Sequence, residues 1–336
     1  MYLDYYGFTA HPFLMTPDAR LFFASSVHAR AHAHLVYGLA QREGFIIITG
    51  EVGAGKTTLV ERLCAELDPA SFTIARIMTS QVAGDDLLRL VADAFGVPSD
   101  GTKAAVLRGI MDALRAGESV GRRHLLIVDE AQGLPPSALE ELRMLSNVTE
   151  DGRALLQTIL LGQPQLRRTI ASPDLDQLRQ RVLASYHLGG LSKDETHAYV
   201  EHRMRAVGWN GTPHWEPEAL DLVHRFSSGI PRRINRLCAR VLLGGALEHA
   251  QTLTAPMVEI TARELEEDLT GGQPAARAPM REFAAQHQPA HEGASVPASA
   301  IAELSRRIEM LEIQTARRER VFNRLMDLFS GLEGRR

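Results

Sequence analysis

The sequence predicts a doubly wound α/β domain followed by a smaller helical domain, and three observations carry that expectation. Apolar runs such as Phe45–Ile48 and Leu125–Val128 show no alternation, as strands buried on both faces of a parallel sheet should not. Between such runs apolar residues recur at helical spacing, so strand and helix patterns alternate up to about residue 190. Beyond Leu191 the strand patterns cease and amphipathic helical patterns take over.

In chain order, an aromatic N-terminal segment over 1–44 leads into the first strand. Strands are expected over 45–49, 72–78, 124–128, 155–161 and 185–188, five in all, with helices near 57–67, 85–95, 103–116 and 136–147 between them. Together these make an α/β domain over 45–190. A helical domain over 191–270 is expected to hold helices at 193–207, 216–227, 231–250 and 256–269. Residues 271–300 are rich in Ala, Pro, Gly, Gln and His and hold too few large apolar groups to offset ordering entropy, which reads as a flexible linker. Over 301–334, Ile301, Leu304, Ile308, Leu311, Thr315, Arg318, Phe322, Leu325, Phe329 and Leu332 recur at alternating spacings of three and four. That is a heptad seam with two polar interruptions, suited to a coiled coil or a partner's groove; packing back on the body is the alternative.

At 336 residues with 45% apolar content, the chain is long enough for two or three domains with sizeable cores. A formal net charge of −4 offers no global attraction for nucleic acid or anionic lipid, so nucleic acid is not the expected partner. Cys64 and Cys238 lie far apart in helical patterns without ligand spacing, which predicts buried reduced thiols and a cytosolic compartment. No basic N-terminal stretch precedes an apolar core, and nowhere do about 20 apolar residues run together as a spanning helix needs. Any membrane role is therefore expected to be peripheral, through a partner.

The chemistry begins at Gly50-Glu51-Val52-Gly53-Ala54-Gly55-Lys56-Thr57, followed by Thr58, set between the first strand and the first helix of the sheet. This is a P-loop: its glycines let backbone N–H groups converge on phosphate oxygens, at the positive end of the following helix. Lys56 is expected to reach the β/γ-phosphates of ATP and Thr57 to ligate Mg²⁺. About 70 residues on, His124-Leu125-Leu126-Ile127-Val128-Asp129-Glu130 is a buried strand ending in two carboxylates, a Walker B pattern. Asp129 would hold Mg²⁺ and Glu130 would polarise the attacking water, which separates hydrolases from most P-loop kinases. Gln163, at the end of the strand over 155–161, is a candidate γ-phosphate sensor if that strand lies between the other two; the alternative is a polar residue starting a turn before Pro164. Arg179 and Arg181 end a short helix before the fifth strand, where oligomeric P-loop ATPases project an arginine into a neighbour's site, and the residues alone do not choose between them. Arg232, in the first turn after Gly229-Ile230-Pro231, opposes the helix dipole unless an anionic ligand relieves it, which makes it a candidate γ-phosphate contact in cis.

Taken together, GEVGAGKT, LLIVDEAQ, LLGQPQL, LRQRVLASYHLGGLSKDET and SGIPRRINRLC resemble the AAA+ ATPases of the general secretion pathway protein A (ExeA-like) family. The opening YYGFTAHPFLMTPDARLFFASSVHARA also resembles that family, most closely its exosortase-associated (PEP-CTERM) members, and the resemblance covers about residues 1–270. It implies an AAA+ fold with a helical lid, ATP hydrolysis, and self-assembly as a ring or hexamer. It further implies a place in envelope secretion or exosortase-linked exopolysaccharide export, with a protein partner at the inner membrane reached through the C-terminal helix. Members of the secretion pathway continue into a transmembrane segment and a peptidoglycan-binding domain, where this sequence has a linker and heptads, so cell-wall binding does not carry over. Two other classes share these motifs: a DNA-associated AAA+ protein, such as a transposition regulator or branch-migration motor, and a nucleotide-gated scaffold that hydrolyses slowly.

Three further features invite ligands without requiring them. His28, His32 and His34 have no acidic or cysteine partner nearby in sequence, and a solvated helix face is the expectation. Tyr5, Tyr6, Phe8 and Phe13 suit either an adenine pocket or plain packing of the N-terminus. Trp209 and Trp215, flanking a Gly-Thr-Pro loop, are expected to be structural.

Overall fold

The computed structural model describes residues 2–14, 21–78 and 84–269; the linker and heptad expectations lie outside these residues. Its centre is a five-stranded parallel sheet of β1 (Phe45–Gly50), β2 (Phe72–Met78), β3 (Arg123–Asp129), β4 (Leu156–Gly162) and β5 (Val182–Leu188), in the order β2-β3-β4-β1-β5. β1 pairs on both sides, Ile47 lying opposite Leu160 in β4 and Ser185 in β5. Every residue of β1 is buried, which explains its unbroken apolar run. Parallel pairing also places the ends of β1, β3 and β4 on one edge of the sheet, so the P-loop, Asp129 and Gln163 emerge side by side.

The helices cover both faces. Ile46 and Ile48 of β1 pack with Leu35 of α2 (Ser26–Ala40) and Leu59 and Leu63 of α3 (Lys56–Glu66). Phe45 and Ile47 point the other way, into a core with Leu87 and Leu88 of α4 (Gly84–Ala94), Ile110 of α5 (Lys103–Ser119) and Leu139 and Leu142 of α6 (Pro136–Leu145). Two short helices, α7 (Pro164–Ile170) and α8 (Asp176–Arg179), lead from β4 to β5. β5 begins three residues before the expected 185. It is an edge strand, half-exposed along much of its length, and its mixture of Ser185, Tyr186 and His187 with apolar residues hides the strand pattern.

The helical domain comprises α9 (Lys193–Arg205), α10 (Pro217–Ser227), α11 (Pro231–Leu247) and α12 (Ala255–Leu269). Strands do not cease entirely here: His214–Trp215 pairs in parallel with Thr252–Leu253, a ladder too short to show a period in sequence. The helix expected to reach 250 ends at Leu247, and His249 turns the chain in the left-handed region (φ 56°) toward that ladder. Tyr6, Phe8 and Phe13 belong to this core, packed with Tyr199, Trp215, Leu237 and Cys238. The N-terminal segment, including α1 (Tyr2–Tyr6), is thus structurally part of the helical domain although it precedes the sheet in sequence. Both cysteines are free, and burial pushes the Cys238 thiol pKa far up, holding it neutral. Among the described residues no helix is long and apolar enough to cross a membrane.

Candidate nucleotide-binding site

The P-loop turns from β1 into α3 through two residues that only glycine suits. Gly53 sits at φ 83° and Gly55 at φ 97°, and each is also closely approached: a Cβ at Gly53 would lie 2.2 Å from Cβ of Arg232. The Gly53 carbonyl accepts a hydrogen bond from the Arg232 backbone N–H at 3.2 Å, which ties the helical domain directly to the loop. No side chain caps α3, whose N-cap is Gly55 itself, so the helix presents its first amides as an anion site.

Lys56 is buried, and its Nζ donates to the carbonyls of Gly50 (2.8 Å) and Glu51 (3.1 Å). Burial pulls its pKa down, opposed by the charges of Glu130, Asp129 and Glu51. Thr57 Oγ1 donates to Asp129 Oδ2 at 2.9 Å, bringing the hydroxyl of one motif onto the carboxylate of the other. A hydroxyl and a carboxylate side by side are the hard oxygen donors that suit Mg²⁺, which usually keeps several waters and takes further ligands from phosphate.

Glu130 sits in the left-handed region (φ 55°), a conformation uncommon for a residue with a Cβ, and its backbone N–H donates to Asp129 Oδ1 at 2.8 Å. Its Oε2 accepts from Gln132 Nε2 at 2.6 Å and from Gln163 Nε2 at 3.4 Å. Gln132 closes the set, because its Oε1 accepts from the Gln163 backbone N–H at 2.9 Å. β4 does lie between β1 and β3, and Gln163 reaches Glu130 from there.

Lys56, Thr57 and Glu130 face a cavity of about 380 Å³ with three walls, while Asp129, Gln132 and Gln163 are bonded to Thr57 or Glu130 without lining it. Val52, Gly53, Gly55, Lys56, Thr57, Thr58 and Glu130 form the first; Gly50, Glu51 and Ala54 complete the loop without lining the cavity. The helical domain supplies Tyr199, Arg203, Pro231, Arg232 and Asn235, and the N-terminal segment supplies Leu14, Leu21, Phe22, Phe23 and His28. Arg232 thus lines the cavity against the P-loop at Gly53. Arg179 and Arg181 do not line this cavity: Arg179 pairs with Asp176 (2.8 Å), while Arg181 Nη1 donates to the Ser146 carbonyl at 3.4 Å.

One reading needs correction. His28 is not on a solvated face; it is 7% exposed and touches the P-loop, while His32 pairs with Glu66 at 2.8 Å and the His34 ring lies against that of Tyr186. An isolated histidine in a helical pattern gives no sign of which loop it will meet. Tyr6, Phe8 and Phe13 pack in the helical core, and the apolar cavity wall comes from the next residues along, Leu14 and Leu21 to Phe23. Gln132, Tyr199, Arg203 and Asn235 were not visible as site residues; Gln132, in the LLIVDEAQ motif, and Asn235, in the SGIPRRINRLC motif, carried a signal, whereas Tyr199 and Arg203 carried none. Trp209 and Trp215 are structural, as expected.

Residues 39–170 match the family model described as AAA domain. The chain is 39% identical over 269 residues to General secretion pathway protein A of Aeromonas hydrophila, a match covering 79% of this chain and 48% of that protein. A Potential ATP-binding protein of Staphylococcus aureus is 29% identical over 119 residues, 35% of this chain and 41% of that one. The chain thus spans about half the length or less of these curated relatives. Among solved structures, Cdc6p of Pyrobaculum aerophilum superposes with a TM-score of 0.59 at 15% identity, covering 77% of this chain and 73% of that one. The Aeropyrum pernix ORC1 protein in complex with DNA gives 0.56 at 14% (76% and 70% covered), and the ORC2 protein from the same organism, in ADPNP and ADP complexes, 0.51 at 19% (74% and 72%). At such identities these establish the fold alone, which is that of the AAA/P-loop NTPases. The resemblance to ExeA-like proteins is supported at the level of the AAA domain and the 39% identity.

Proposed function

We propose that this AAA domain binds ATP with Mg²⁺ and hydrolyses it. The observation that supports this best is the joining of the two motifs: Thr57 bonded to Asp129, with Glu130 held by Gln132 and Gln163, and Thr57 and Glu130 facing one cavity. In this reading Lys56 leaves its loop carbonyls for the β/γ-phosphates, and the loop amides with the α3 N-terminus hold the β-phosphate. Thr57 and Asp129 hold Mg²⁺, which when bound neutralises phosphate charge. Glu130 takes its place against the attacking water, Gln163 and Arg232 contact the γ-phosphate, and Arg179 or Arg181 of a neighbouring copy completes the site in a homo-oligomeric ring. The relative's name, general secretion pathway, and the motif resemblance support a reading in which this activity serves envelope secretion or exosortase-linked exopolysaccharide export, as an assembly or energising factor.

The decisive comparison is between two substitutions. Lys56→Ala is expected to lose much of the nucleotide binding, whereas Glu130→Gln keeps binding but turns over at least about a hundredfold more slowly, because one residue contacts ground-state phosphate and the other acts on the water. Unchanged turnover in Glu130→Gln would sink the assignment. The second reading, a DNA-associated protein, is favoured by one observation: the same fold is seen in an ORC1 protein in complex with DNA, so the modest negative charge does not exclude nucleic acid. ATPase rates that rise with added duplex DNA, and not with membranes carrying the secretion partner, would favour it.

A further inference from the structure

We propose that His28 is a positioning residue for the P-loop, fixing the Ala54–Gly55 segment so that the loop amides converge on phosphate; this rests on the nucleotide-binding reading above. The ring is gripped at both ends. Ser25, the N-cap of α2, accepts from the His28 backbone N–H at 3.3 Å, and its Oγ lies 2.7 Å from Nδ1 of the ring. One residue thus fixes both the backbone and the rotation of the imidazole. At the far end Nε2 reaches the loop so closely that a Cβ on Gly55 would lie 2.7 Å from it, beside the Ala54 backbone. The Phe22 ring packs edge-on to the imidazole, centroids 6.0 Å apart, and Phe22 is itself in the cavity wall.

Burial lowers the His28 pKa, against the opposing pull of the Ala54 backbone and Glu195, so the ring is neutral at ordinary pH. A neutral imidazole has one donor and one acceptor. With the Ser25 hydroxyl donating to Nδ1, the proton sits on Nε2, which faces the Ala54–Gly55 segment. That assignment matters for the loop. Gly53 and Gly55 cost much backbone entropy to hold in the left-handed region, and the helical domain holds the loop at Gly53, by the Arg232 amide. His28 supplies the second hold, on the opposite side of Ala54, from a residue with its own rotation already fixed. Preorganised amides bind the phosphates without paying that ordering cost at the moment of binding.

The test compares His28→Gln with His28→Asn in the full chain. Glutamine can place an amide N–H where Nε2 stands, whereas asparagine reaches only as far as Nδ1 and keeps the contact to Ser25. Affinity for ATP and ADP is measured by titration with a fluorescent analogue, beside the melting temperature without nucleotide and steady-state kinetics. His28→Asn is expected to weaken both nucleotides about five- to tenfold, the loss of one hydrogen bond, and to raise KM more than it lowers kcat, while His28→Gln stays within about twofold of the parent. Equal affinities for the two variants and the parent would overturn the proposal, as would His28→Gln binding as weakly as His28→Asn. A lowered melting temperature with unchanged affinity would assign His28 to folding alone. If the parent protein itself binds no nucleotide, the reading of the site fails first, and the two failures are told apart.

Discussion

At the scale of single residues, Glu130, proposed to act on the attacking water, is held in the least ordinary way. Glu130 has a left-handed backbone, and its side chain is drawn toward Gln132 and Gln163, which are themselves joined through the Gln163 amide. Gln132 touches no expected substrate atom, yet it fixes the carboxylate and the sensor together. Gln132→Leu is therefore expected to leave ATP affinity nearly unchanged and to lower kcat about tenfold, because misplacing a reacting group by a fraction of an ångström is costly. Single-turnover kinetics beside a binding titration check it; a kcat equal to the parent's would show that Glu130 is positioned without Gln132. The sequence revealed Lys56, Thr57, Asp129 and Glu130 because each stands at a fixed offset from a strand end. Gln132 and His28 stayed hidden as site residues because their roles come from contacts across 31 and 26 positions of chain, to Gln163 and Ala54, which no local pattern encodes.

At the scale of elements, most of the sheet was legible. β1 and β3 read plainly from their unbroken apolar runs and β2, though at an edge, was read over its full length, while β5, whose apolar residues are mixed with Ser185, Tyr186 and His187, was seen only in its second half. The joining of the N-terminal segment to the helical domain had no signal at all, since it depends on backbone carbonyls. Arg203 of α9 carries that joint: 7% exposed, it donates from Nε to the Pro12 carbonyl (2.7 Å) and from Nη1 to Tyr199 Oη (2.8 Å). Tyr199 in turn donates to Asn235 Oδ1 (2.8 Å), whose Nδ2 donates to the Leu14 carbonyl at 3.2 Å. Replacing Arg203 by leucine leaves the Pro12 carbonyl without that donor and breaks the chain of bonds. The expected cost is about 2–4 kcal/mol of stability, with a weaker nucleotide site because Leu14 and Asn235 both line it. Urea unfolding measures the first and titration the second; a variant as stable as the parent would mean that apolar packing alone seats the N-terminal segment.

At the scale of the whole molecule, the described residues build three apolar clusters, with members up to Leu265, and one compact unit spans Met1–Glu266. Residues 271–336 pair in sequence a segment poor in large apolar groups with the heptad seam from Ile301 to Leu332. A seam of Ile, Leu and Phe must be buried somewhere, and Thr315 with Arg318 at its centre lowers the stability of a plain coiled coil while suiting a partner that sets an acid opposite Arg318. Truncation after Thr270 is thus expected to leave the basal ATPase rate and the melting temperature nearly unchanged, and to weaken self-association or recruitment to a membrane-bound protein partner. Hydrolysis rate, mass in solution and co-sedimentation with partner-bearing membranes, compared between full-length and truncated protein, decide it. Loss of hydrolysis or of folding on truncation would mean that the seam is buried against the body, and the docking role would fall.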